Sequence, residues 1–105
     1  SMTTTLSNTL QNLIELYQVR LDLVNISQEN MIYAEKAFDL AQKRFDLGSL
    51  NSIDLANFQN TYQNTMIQHY ENLFNKLDTF LEIYKMTGKI SLDYQKWTPI
   101  IGKNH

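Results

Sequence analysis

The stretch Phe45-Asp46-Leu47-Gly48-Ser49-Leu50-Asn51-Ser52-Ile53-Asp54 decides the fold, because it carries the only glycine in the first 87 residues. Glycine at such a break suits the left-handed residue that closes a helix C-terminus, where a Cβ is strained. Asn51 or Ser52 can then cap a following helix through its side-chain oxygen. Lys43 and Arg44 before the break and Asp54 after it each have the sign that the helix dipole favours. Neither glycine nor proline interrupts residues 6–47 or 53–87, and Gly88 marks the next stop. The reading is all-α: helix 6–47, turn 48–52, helix 53–87, together a hairpin over 6–88. At 1.5 Å per residue such helices extend roughly 60 and 50 Å, lengths that point to a coiled coil. The short connection forces them antiparallel.

Beyond the hairpin the expectations are weaker structure. Ser1-Met2 reads as a tag scar, so residues 1–5 are expected to be disordered and the natural protein longer. After Gly88, Lys89-Ile90-Ser91-Leu92-Asp93-Tyr94 alternates apolar and polar residues, which predicts a short extended segment. Residues 89–105, with Trp97, Pro99 and the terminal Gly102-Lys103-Asn104-His105, are expected to form an extended or loose tail.

Composition narrows the function classes. The 105 residues suffice for one small domain. Without cysteine there are no disulfides, thiolate metal sites or cysteine nucleophiles. Nine basic against eleven acidic residues leave a net charge of −2, so no nucleic-acid footprint exists. No apolar run approaches the roughly 20 residues that span a bilayer. His69 and His105 lie far apart, no carboxylate–histidine spacing suits a metal, and no serine has a base and orienter nearby. No catalytic, metal or cofactor site is expected, and the chain does not read as an enzyme.

Periodicity speaks instead of packing. Leu10, Tyr17, Val24, Met31, Phe38 and Phe45 recur every seven residues, with Leu13, Arg20, Ser27, Ala34, Ala41 and Gly48 three positions on. That is a left-handed coiled-coil seam. Val19, Ile26, Tyr33, Leu40 and Leu47 form a second row, flanked by Leu16, Leu23 and Ala37. In the second helix Met66, Tyr70, Leu73, Leu77, Phe80 and Tyr84 form an a/d-type seam that Ile67, Phe74 and Leu81 widen. Leu55, Phe58 and Tyr62 make a separate patch near the turn, and His69 and Lys76 interrupt another stripe. A hairpin covers one stripe per helix, and monomers avoid long exposed apolar strips. The second row is therefore expected to pack laterally, in a four-helix or larger bundle or in a wall of hairpins.

The residues around the turn resemble a known family. Ala34, Ala37, Ala41, Arg44-Phe45 and Gly48, then Ser52-Ile53-Asp54-Leu55, Tyr62 and Tyr70, and the ending Leu81-Glu82-Ile83-Tyr84-Lys85-Met86-Thr87-Gly88-Lys89-Ile90 are similar to the repeats of TolC-like outer-membrane efflux proteins. The resemblance covers about residues 6–94 and looks like the C-terminal repeat. It implies a periplasmic α-barrel hairpin at the bacterial outer membrane, within a homotrimer, with the membrane reached only through barrel strands absent from this chain. It further implies a hairpin tip, Leu47, Gly48, Ser49 and Leu50, that docks a periplasmic adaptor served by an inner-membrane pump. Asp54 and Asn57 would stand at the tunnel aperture. Leu50 replaces an arginine and Asn57 an aspartate of the family pattern, which puts a charge-locked gate in doubt. The rival is a self-contained soluble interaction protein that dimerises as a four-helix bundle. In either setting the isolated chain is expected to form dimers or larger assemblies.

Overall fold

A computed structural model describes residues 1–102, with the side chains of Ile90 and of residues 93–102 excepted. Two α-helices account for nearly all of it: α1, Met2–Asp46, and α2, Ser52–Gly102. They form a helical hairpin, and no strand occurs among the described residues.

Both helices run further than their glycine and proline punctuation predicts. Residues 1–5 are not disordered, because Ser1 caps α1. The Thr4 N–H donates to Ser1 Oγ (3.3 Å) and the Thr5 N–H to the Ser1 carbonyl (3.1 Å). Nor does α2 stop at Thr87, so the extended segment expected from Lys89 to Tyr94 is helix through Gly102 instead. Gly48 alone among the described residues has positive φ, +78°. Gly88 keeps the helical hand, at a cost of only about 1 kcal/mol relative to alanine. The Thr87 hydroxyl bonds back to the Ile83 carbonyl one turn earlier. The loose end expected at Lys103, Asn104 and His105 lies outside the described residues.

The chain divides into two compact units. The turn-bearing unit is Val19–Lys76, and the other joins Ser1–Gln18 to the chain from Leu77 onward. In both, the face that α1 buries is the predicted seam. Leu10, Leu13, Tyr17, Arg20, Met31, Ala34 and Phe38 are half-buried, and Val24, Ser27 and Ala41 are fully buried. Phe45, last in that row, is 40% exposed, so the seam frays at the turn. Taking Leu10 as heptad position a and Leu13 as d, the second row, Val19, Ile26, Tyr33 and Leu40, falls at c, with Leu16, Leu23 and Ala37 at g.

The face of α2 turned to α1 corrects the sequence reading. The seam is the stripe that His69 and Lys76 interrupt. Leu55, Tyr62, Lys76 and Ile83 are half-buried and His69 is buried, seven residues apart, at position a. Thr65, Asn72, Thr79 and Met86 accompany them at d, and Thr79 is the most buried of the described side chains, 1% exposed. Most of the more apolar row expected as the seam points outward. Tyr70, Leu77, Phe80 and Tyr84 are exposed, as are Ile67, Phe74 and Leu81 beside them. Only Met66 and Leu73 in that row are half-buried.

Candidate functional site

Three features stand out from the ordinary hairpin: a polar cluster within the seam, the turn, and the uncovered apolar flanks.

In the turn-bearing unit the polar cluster is built from both helices. The Ser27 hydroxyl donates to the Val24 carbonyl at 3.0 Å and lies 3.1 Å from His69 Nδ1. Ser27 Oγ therefore links the α1 backbone to the imidazole of α2. Both side chains are buried, and no buried side-chain nitrogen or oxygen among the described residues lacks a partner. Counting outward from Ser27 and His69 sets Val24 level with Asn72, Arg20 with Lys76, and Met31 with Thr65. Two further bonds agree with this register: Asn72 Nδ2 donates to the Leu23 carbonyl (3.3 Å), and Arg20 Nη1 donates to the Asn75 carbonyl (2.8 Å). Phe38 and Tyr62 stack nearer the turn, with ring centroids 6.2 Å apart. In the other unit Tyr17 and Phe80 pack at 6.3 Å. The sequence reading missed His69 as a seam residue. Its seven-residue spacing from Tyr62 and Lys76 was the available signal.

Backbone hydrogen bonds close the turn. The Ser49 N–H donates to the Arg44 carbonyl at 2.8 Å and the Gly48 N–H to the Phe45 carbonyl at 2.9 Å. These are the paired bonds of a Schellman motif, with Gly48 as its left-handed residue. The Ser49 hydroxyl doubles the contact to the Arg44 carbonyl at 3.0 Å. Of the two candidate caps, Asn51 is the one used. Its Oδ1 accepts the Asp54 N–H at 2.8 Å, and its carbonyl accepts the Leu55 N–H. Leu50 and Leu55, both half-buried, occupy the positions that a hydrophobic staple joins.

The predicted tip residues thus come together on one short turn, with Leu47, Gly48 and Ser49 exposed and Leu50 half-buried. Leu47 is 83% exposed, and Ile53 across the turn 72%. Asp54 and Asn57 are exposed in the opening turns of α2. Val19, Ile26, Tyr33 and Leu40 are also exposed, each 55% or more, on one flank of α1.

The unit that holds the helix ends carries an open groove of about 250 Å³, lined by Thr9, Leu13, Glu82, Lys85, Met86 and Lys89. Among the described residues no three His, Asp or Glu side chains are grouped to hold a metal ion. No described helix is long and apolar enough to cross a membrane. Comparisons of the chain with protein-family models, with curated proteins and with solved structures find no match.

Proposed function

We propose that this chain is a hairpin of a TolC-like exit duct, supplying part of the periplasmic wall and the tip that docks an adaptor. One observation carries the reading: each helix bears an apolar row, in heptad register, that its partner helix does not cover. A wall hairpin needs this, with one seam inside and others against its neighbours. The turn supports the reading as well. Its backbone is closed on itself by the Schellman bonds and the Asn51 cap, so Leu47 and Ile53 are presented from a fixed frame.

In this role Leu47, Gly48, Ser49 and Leu50 meet the adaptor, and Asp54 and Asn57 stand near the tunnel mouth. Three copies of the parent protein make the duct, at the outer membrane of a bacterium, and an inner-membrane pump supplies the energy. The mechanism is passive: hairpins pack side by side when the duct is shut, and sliding of one against the next opens the tip. The test is a Ser49→Cys variant of the parent protein, crosslinked in its own cells to the adaptor encoded beside it. A crosslink that depends on position 49 is expected. No crosslink from a variant that still supports export would overturn the docking role. The soluble four-helix bundle uses the same uncovered rows, and an open reading frame without barrel strands or a second repeat would favour it.

A further inference from the structure

Along α2 a second row stands one residue beyond the seam. In the turn-bearing unit the seam runs through Thr65, His69 and Asn72, and the residues that follow them are Met66, Tyr70 and Leu73. In the other unit Thr79 and Ile83 are followed in the same way by Phe80 and Tyr84. This second row keeps the heptad spacing of the first, at positions e and b, and it is far more apolar. Met66 and Leu73 are half-buried at the edge of the seam, and Phe80 packs on Tyr17. Tyr70 and Tyr84 are 60% and 69% exposed.

Near the turn the preference is reversed. Leu55 and Tyr62 belong to the seam, and the residues one later are Ala56 and Gln63. The start of α2 thus favours the observed seam, whereas from Met66 onward hydrophobicity favours the row beside it. Between these stretches stand two β-branched residues whose hydroxyls bond back into the helix. Thr61 donates to the Asn57 carbonyl at 2.9 Å and Thr65 to the Tyr62 carbonyl at 2.7 Å. Such bonds compete with the helical ladder and bend it.

We infer that α2 has two packing registers against α1, the observed one and a second, one residue on, that begins after Tyr62. A single π-turn between Tyr62 and Met66 takes up one extra residue and turns the helix that follows by about 100°. The pairing near the turn is kept, with Phe38 on Tyr62. Beyond it Tyr70 replaces His69 opposite Ser27, Leu73 replaces Asn72 opposite Val24, and Met66 replaces Thr65 opposite Met31. In the other unit Phe80 replaces Thr79 and Tyr84 replaces Ile83. Polar contacts hold the observed register: the Ser27–His69 pair and the bonds to the Leu23 and Asn75 carbonyls. Burial of the apolar row favours the second.

The two registers are a property of the hairpin alone, and their use rests on the lateral packing of the proposed function. A neighbour seated on Tyr70 finds that side chain outside only in the observed register. Its arrival or departure therefore shifts the balance between the two, and register reports whether the outer face of α2 is covered.

The chain has no cysteine, so paired cysteines read register within one molecule. Ser27→Cys is combined with His69→Cys, Tyr70→Cys or Glu71→Cys. Closure of the intrachain disulfide in a glutathione buffer is timed in dilute protein, with helicity checked by circular dichroism. The His69 pair reads the observed register, the Tyr70 pair the second, and the Glu71 pair, on the outer face, the background. Leu13→Cys with Ile83→Cys or with Tyr84→Cys repeats the comparison in the other unit, leaving Ser27 and His69 intact. Closure of the Tyr70 and Tyr84 pairs severalfold faster than the Glu71 pair is expected. Closure of the His69 and Ile83 pairs alone, with the Tyr70 and Tyr84 pairs no faster than the Glu71 pair, would overturn the second register. Both readouts are intrachain, so they stand or fall separately from adaptor docking at Ser49.

Discussion

Ser27 Oγ and His69 Nδ1 meet at 3.1 Å inside the seam, where an ordinary coiled coil would place two aliphatic side chains. The contact is one of several levels that carry a polar side chain, with Arg20 opposite Lys76 and Val24 opposite Asn72. Among the described residues only Val24 and Ala41 are fully buried and apolar. Polar levels specify register more than they add stability. The hairpin is therefore well defined in its pairing and sparing in its core.

That relationship predicts an asymmetry between single and double substitutions. Ser27→Ala removes the hydrogen-bond partner of His69 Nδ1 and should cost about 1–3 kcal/mol, the loss attached to an unsatisfied buried polar group. Ser27→Ala with His69→Leu replaces both partners by apolar groups and should recover most of that loss. Urea unfolding of the two variants beside the parent chain measures it. Equal destabilisation in both would show that the Ser27–His69 bond does not matter.

Gly48 and Gly88 should respond oppositely to alanine. At Gly48 the φ of +78° strains any Cβ, so Gly48→Ala should lose about 1–2 kcal/mol although nothing lies within 4 Å of the added atom. At Gly88 the surroundings are equally open and the backbone is helical. Gly88→Ala should therefore gain about 1 kcal/mol and raise helicity. Thermal melts followed by circular dichroism decide this, and a loss at Gly88 would mean that the helix ends there.

These two glycines also show what sequence could reveal. Both read as stops, and each is followed by a capping-type residue and an acid, Asn51 and Asp54 after Gly48 and Ser91 and Asp93 after Gly88. The signal for continuation beyond Gly88 was the α2 repeat itself, since Ile90 and Trp97 follow Ile83 in the sequence at the same seven-residue interval. The α1 seam was legible position by position from Leu10 to Ala41, because its apolar a row has no rival as strong. On α2 two rows compete, and hydrophobicity favoured the wrong one. Periodicity identifies rows but not which row meets the partner. That choice depends on cross-helix pairing, in which Ser27 finds His69 and Arg20 finds the Asn75 carbonyl. The turn residues were readable because caps act locally. No local rule says what covers an outward flank.

Asn51 rather than Ser52 should set the start of α2. Asn51→Ala loses the bond to the Asp54 N–H and should cost about 1 kcal/mol, whereas Asn51→Asp keeps an acceptor there and should cost little. Ser52→Ala should be close to neutral. The same melts rank the three variants, and a larger loss at Ser52 than at Asn51 would move the cap by one residue.

The thin core and rich flanks together predict that stability follows concentration. Whatever binds the folded chain alone raises its melting temperature by mass action. A second copy seated on Ile26 and Tyr33, or on Tyr70 and Phe74, does this more strongly as protein concentration rises. Ile26→Glu with Tyr33→Glu should remove most of the dependence, because a carboxylate buried at a contact without a partner costs several kcal/mol. Both positions are exposed within the chain, so the hairpin itself should tolerate the change. Sedimentation velocity and melts over a range of concentrations measure the two effects side by side. A melting temperature that stays constant with dilution, in a chain that remains helical, would show that the flanks have no partner in a second copy.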